Sequence, residues 1–247
     1  MTRLLILGGT AEARALALQA AALPEPSDLA VTLSLAGVTR APPPLPLPVR
    51  RGGFGGADGL AAYLRETGTN LLICATHPFA NRMPENARHA AAATGIPLLR
   101  LLRPGWQPGP GDHWRSFPTV KAAVAALPSG AQALLTTGAG TRDLPQRRDI
   151  ALTLRSIEPP AALPPEVDLL IDRPPYRLES EIALMQARGI SHLITRDAGG
   201  ADRARLDAAR ALGLPVHLIA RPATAGSGIE TVPDIAAAMG WIAARLG

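Results

Sequence analysis

The chain has 247 residues, 47% of them hydrophobic, which allows one large α/β domain or two smaller ones and excludes a disordered protein. No apolar run approaches the roughly 20 residues of a membrane span, no basic leader precedes the first strand, and the single cysteine, Cys74, rules out an internal disulfide or a multi-cysteine metal cluster, so the expected location is cytoplasmic. The net charge is +5, and arginine supplies 24 of the 25 basic residues, Lys121 being the only lysine; with 3% aromatics and no long basic run the charge suits an acidic small molecule better than nucleic acid or a membrane.

In chain order, strand-like runs occur at Arg3 to Leu7, Ala30 to Leu35, Pro48 to Arg50, Asn70 to Ala75 and Pro97 to Leu101, with helical stretches at Glu12 to Ala22, Asp58 to Glu66 and Pro84 to Thr94. A Pro/Gly-rich stretch from Arg103 to Trp114, RPGWQPGPGDHW, breaks the pattern and predicts a linker over 104–118 between domains at 1–103 and 119–247. Strands then resume near Ala133 to Thr137, Ile150 to Leu154, Val167 to Ile171, His192 to Thr195 and Val216 to Ala220. Helices fall at Arg177 to Arg188, Ala201 to Leu212 and Pro233 to Arg245. Alternating βα units in two similar halves predict an α/β fold with parallel sheets, and ligands in such sheets lie outside the carboxyl ends of the strands.

Those strand ends hold the candidate residues. Gly8-Gly9-Thr10 reads either as a backbone turn that a phosphate can approach, with Thr10 capping the helix behind it, or as a plain βα turn without a ligand. Glu12 suits the helix dipole and would repel a phosphate placed close to it. Ser34, Gly37 and Arg40 follow the second strand, and no acidic residue occurs between Asp28 and Asp58. An arginine there favours the extra phosphate of NADPH, the alternative being a solvated loop arginine. In RGGFGGADG, Gly52, Gly53 and Gly55 surround Phe54, which fits a backbone-lined cofactor loop or a flexible loop with Phe54 in the core. Thr76 and His77 close the fourth strand, where His77 could hold a carboxylate or stand as an ordinary polar residue. Arg103, Arg142, Arg173, Arg196 and Arg221 each follow a strand, a count the arginine-rich composition already explains.

Several chemistries are set aside. There is no P-loop lysine, no nucleophile elbow and no Tyr-x-x-x-Lys pair, and the five histidines show no paired metal-ligand spacing. Together, LILGGTAEARALA, SLAGVTR, RGGFGGADGLAAYL, ATHPFANRMPENA and LLRLLRPGW in the first half, with LLTTG, LIDRPPY, ITRDAGG and RLDAARALGLPV in the second, resemble the precorrin-6A reductases of cobalamin biosynthesis. The resemblance implies two Rossmann-like domains, one for the coenzyme and one shaping the tetrapyrrole site, and it allows for exchanged terminal strands. It implies NADPH-dependent reduction of precorrin-6A, a polycarboxylate macrocycle, to precorrin-6B; the cobalt-substrate counterpart and a non-catalytic tetrapyrrole or nucleotide-binding module are the alternatives. It leaves room for transient contact with neighbouring pathway enzymes. Carried over by position, Gly8, Gly9, Thr10, Ser34, Gly37, Arg40, Gly52, Gly53, Phe54 and Gly55 would hold NADPH, and Arg14, Thr76, His77, Arg196 and Arg221 would hold the substrate. No metal ligand and no catalytic side chain is assigned. Cys74 stands where an aspartate is expected before Ala-Thr-His-Pro, and Arg196 where lysine is common.

Overall fold

The structure is a computed structural model that describes residues 1–24, 28–35, 44–138, 144–160, 162–222 and 228–246. The chain forms two compact units, Met1–Pro104 with Pro222–Gly247, and Gly105–Arg221. The first half runs β1 (Thr2–Leu7), α1 (Ala11–Ala21), β2 (Leu29–Leu35), β3 (Val49–Arg51), α2 (Ala57–Glu66), β4 (Leu71–Cys74), α3 (Arg82–Thr94) and β5 (Leu98–Leu101). The second runs β6 (His113–Phe117), α4 (Val120–Ala125), β7 (Gln132–Thr136), β8 (Ala151–Ser156), β9 (Val167–Ile171), α5 (Leu178–Ala187), β10 (His192–Arg196), α6 (Ala204–Ala211) and β11 (Pro215–Ile219), then β12 (Glu230–Val232) and α7 (Ile235–Ala243).

Each unit is built on a six-stranded sheet, β3-β2-β1-β4-β5-β12 in one and β9-β8-β7-β10-β11-β6 in the other. Every pairing is parallel. The order is that of a doubly wound fold, whose ligand crevice lies where the strand order reverses, at β1/β4 and at β7/β10. The sixth strand of each sheet is exchanged. β6 follows β5 in the chain yet joins β11, and β12 follows β11 yet joins β5 with Glu230 opposite Leu99.

In the first unit alternate side chains feed opposite faces. Leu4, Ile6, Val31, Leu33, Ile73 and Leu99 pack with Leu16 of α1 and Trp241 and Ile242 of α7. Leu5, Leu7, Leu72 and Cys74 pack with Leu60 and Leu64 of α2 and the alanines of α3. In the second unit Leu134, Leu193 and Val216 pack with Met185 of α5 and Leu206, Ala208 and Ala209 of α6, while α4 lies against β6, β10 and β11. No helix among the described residues is long and apolar enough to cross a membrane.

The domain expectation needs correction at two places. The stretch expected as a linker belongs to the second unit, and β6 lies within it. Asp112, its side chain fully buried, accepts from Arg210 Nε at 2.9 Å and Nη2 at 2.8 Å and from the Gly109 amide at 2.8 Å. These bonds bind the Pro/Gly segment to α6. Residues 222–246, expected in the second domain, lie in the first unit instead. β12 is three residues long with Glu230 and Thr231 exposed, so it carries no apolar alternation to betray it.

His217 on β11 is buried, and its Nδ1–H donates to the Ala123 carbonyl of α4 at 2.8 Å. His192 lies 5.7 Å from it, ring centroid to centroid. Burial lowers the pKa of both rings, helped at His217 by Arg115 and at His192 by His217. The folded unit therefore favours neutral rings. As the pH falls below the unfolded-state value of about 6.5, the unfolded chain takes up protons first and stability drops. Thermal unfolding should shift downward between pH 7.5 and pH 5.5, and His217→Asn should flatten that shift.

Candidate functional site

The carboxyl ends of the first sheet are organised by close backbone approach. Gly8 has φ +147°, and a Cβ there would sit 2.4 Å from the Ala75 carbonyl oxygen, so only glycine lets β1 leave the sheet so close to β4. The Gly8 amide donates to the Ser34 carbonyl at 3.0 Å. Thr10 caps α1: its Oγ1 accepts from the Ala13 amide at 3.1 Å and donates to the Ala75 carbonyl at 2.9 Å. β1, β2 and β4 are thereby locked at one point.

A small cleft opens there, lined by Thr10, Glu12, Ala75, Thr76, Pro78 and Arg103. Glu12 is paired with Arg103 at 2.6 Å, which removes the repulsion that its charge would otherwise present to an anion. His77 is exposed, and its Nδ1 accepts from the Phe79 amide at 3.2 Å, which places the proton of the neutral ring on Nε2. Thr76 lies 3.5 Å, Oγ1 to Sγ, from Cys74. Burial pushes the Cys74 thiol up, so it is no nucleophile.

The glycine loop after β3 is shaped by Arg50. Its guanidinium donates to the carbonyls of Gly52 at 2.6 Å and Gly53 at 2.8 Å and stacks over Phe54 at 3.7 Å. Phe54 in turn meets Tyr63 edge to face at 5.2 Å. A Cβ on Gly59 would fall 1.7 Å from the Phe54 carbonyl oxygen, whereas Gly52, Gly53, Gly55 and Gly56 have nothing within 4 Å of theirs among the described residues. Among the described residues space is open beside the loop, next to the amides of the first turn of α2, whose N-cap Gly56 supplies no side chain. Such a terminus favours a negative group.

A profile described as Precorrin-6x reductase CbiJ/CobK matches residues 3–243. The chain belongs to this family. The precorrin-6x reductase assignment agrees with a 45% identity to the precorrin-6A reductase of Rhodococcus erythropolis, covering 98% of both chains. A solved structure titled CobK precorrin-6A reductase superposes with a TM-score of 0.89 at 41% identity, covering 99% of this chain and 97% of that one. A cobalt-precorrin-6A reductase of Priestia megaterium is more distant, 29% identical over 89% of this chain and 90% of its own.

Of the expected site residues, the structure gathers Gly8, Gly9, Thr10, Ser34, Thr76 and His77 about the ends of β1, β2 and β4. It sets Gly52, Gly53, Phe54 and Gly55 at the end of β3. Arg14 lies early in α1, partly buried. Gly37 and Arg40 lie outside the described residues, as does Arg142. In the second unit Arg196 ends β10, its pKa lowered by burial. Arg221 follows β11 and is tied through Nε to the Asp197 carbonyl at 3.0 Å and carboxylate at 3.3 Å. Sequence reasoning missed Arg50 as the loop's clamp and the partnership of Glu12 with Arg103, because both depend on distances that motif spacing does not carry.

Gly8→Ala should cost about 2–3 kcal/mol, since it combines a strained φ with a backbone clash. Gly53→Ala, which meets nothing among the described residues, should leave thermal unfolding unchanged while weakening the binding of any nicotinamide coenzyme at this loop. Calorimetry and equilibrium coenzyme titration of the two variants separate these effects.

Proposed function

We propose that this protein uses NADPH to reduce a ring double bond of precorrin-6A, giving precorrin-6B. The observation that carries the reading is the near full-length match to precorrin-6x reductases together with the Gly8 turn and the open glycine loop at the switch point of the first sheet. The metal-free substrate is favoured because the relatives named precorrin-6A reductase are 38–45% identical and those named for the cobalt substrate 28–29%. NADPH is favoured by Arg40, placed after β2 with no acidic residue nearby in sequence.

The residues fit a dinucleotide. Gly8, Gly9 and Thr10 present backbone at the end of β1, and the Gly52–Gly55 loop leaves open the volume that side chains would occupy. When bound, the reduced nicotinamide supplies the hydride. The chain's own part is to position and to hold. Thr10 fixes the β1–α1 turn against Ala75, Arg50 sets the course of the glycine loop, and the Arg103 pairing with Glu12 keeps the cleft from repelling anions. His77 is our proposed donor to a substrate carboxylate, and Arg14, Thr76, Arg196 and Arg221 are the other proposed anchors. Water supplies the proton at the neighbouring carbon, and no side chain is assigned as the acid.

In a single-turnover absorbance experiment with precorrin-6A, one equivalent of NADPH should be oxidised as the macrocycle chromophore changes. NADH and the cobalt substrate should each react more slowly. Absence of both spectral changes with precorrin-6A would remove the reading.

A further inference from the structure

The switch point of the second sheet is built differently from that of the first, on polar side chains rather than on glycine and backbone. On the side covered by α5 and α6, Thr195 of β10 stands in register with Thr136 of β7, and Arg155 of β8 flanks Thr136, one residue past the Leu135–Leu154 pairing. All three are polar, at the carboxyl ends of neighbouring strands, where a doubly wound unit binds its ligand. Among the described residues the Thr136 hydroxyl is buried without a hydrogen-bond partner, as are that of Thr137 beside it and Oε2 of Glu181.

Two arginines lie in this layer. Arg155 bonds to Glu181 of α5, both side chains 2–3% exposed, and its guanidinium lies over the Tyr176 ring at 4.0 Å. It is internally neutralised. Arg205 of α6 is 11% exposed, its Nε donates to Thr195 Oγ1 at 3.1 Å, and its guanidinium lies 5.2 Å from the Trp106 ring. Among the described residues its terminal nitrogens reach only Asp202, at 3.7 Å, a carboxylate that is itself 57% exposed. Burial lowers its pKa. Among the described residues the layer thus holds two buried cations against one buried carboxylate, the other carboxylates within 4 Å, Asp172 beside Arg155 and Asp202 beside Arg205, being 42% and 57% exposed, with an oriented fork and an unused hydroxyl alongside. A planar anion completes such a set, because a guanidinium matches a carboxylate through two parallel hydrogen bonds.

We propose that Arg205 is a carboxylate-binding residue of the second unit, its fork taking one acidic side chain of the tetrapyrrole with Thr136 as an added donor. The identity of the ligand rests on the reading above; the chemistry of the site does not. Thr195 and Trp106 hold the fork in plane, and Glu181 keeps Arg155 from competing for the anion.

The test uses the full-length protein, with quenching of tryptophan fluorescence by an octacarboxylic porphyrin as a binding readout that needs no turnover. Reductase kinetics run in parallel. Arg205→Gln should weaken porphyrin binding and raise KM for precorrin-6A about ten- to hundredfold while NADPH affinity holds. Arg205→Lys should recover only part of the loss, since it keeps the charge and not the fork. Thr136→Val should weaken binding several-fold and unfold at the wild-type temperature or above. Unchanged porphyrin affinity in Arg205→Gln overturns the assignment; should that variant not fold, unchanged affinity in Thr136→Val does so. Porphyrin binding that depends on Arg205, in a protein that leaves NADPH unoxidised, would uphold the subsite and remove the reductase reading.

Discussion

The three-residue pairing of Glu230–Val232 with Leu99–Leu101 is the contact on which the first unit depends. Through it the C-terminal segment returns to a sheet begun at Thr2, and α7 then delivers Trp241 and Ile242 into the core beside α1. Trp241 also donates its indole N–H to Glu230 at 2.9 Å, so helix and strand are fastened to each other as well as to the sheet. The second unit is inserted into this framework. Its two ends meet at Asp197, whose carboxylate accepts from the Trp106 amide at 3.0 Å, lies 2.5 Å from where a Cβ on Gly105 would stand, and lies 3.3 Å from Arg221. An insertion with neighbouring ends interrupts its host little. Loop-closure entropy grows only slowly with loop length, so the exchange costs modest stability. Its cost is kinetic, because contacts of high sequence separation slow folding.

Two sheets of one topology end in different chemistry. The first closes on glycine and backbone: Gly8 against Ala75, the Arg50-held carbonyls of Gly52 and Gly53, and the uncapped first turn of α2. Backbone amides at a helix start suit a phosphate, which is compact and accepts from many directions. The second closes on Thr136, Thr195, Arg155 and Arg205, and guanidinium forks suit planar carboxylates. A dinucleotide and a polycarboxylate macrocycle are the ligands we propose for those two surfaces. The shared fold alone could not have assigned them.

Most of the architecture is legible in the sequence because buried parallel strands are continuous apolar runs and the alanine-rich helices between them are long enough to read. Leu4 to Leu7, Leu71 to Cys74 and Leu193 to Ile194 announce themselves. β6 and β12 do not, since both are edge strands with exposed faces, one set among prolines and glycines and the other three residues long. The same gap explains the domain boundaries: composition marks the Pro/Gly stretch as a break, and only the Asp112–Arg210 and Trp106–Asp197 bonds reveal it as part of the second unit. At the site, the turns at Gly8 and Gly52 are legible from glycine spacing. The arginines are not.

The reason lies in how twenty-four arginines are used. Many are bound to a neighbour: Arg103 to Glu12, Arg147 to Asp149, Arg155 to Glu181, Arg210 to Asp112, Arg221 to Asp197. In a chain with one lysine, arginine does the ordinary work of surface and structural ion pairing, so proximity to a strand end says little about ligands. What distinguishes a binding arginine is an oriented guanidinium whose fork is not consumed by a buried carboxylate. Arg205 meets that condition although it lies on a helix, in the first turn of α6, rather than after a strand. Position along the chain pointed to the arginines after the strands; the balance of buried charge points to a different one.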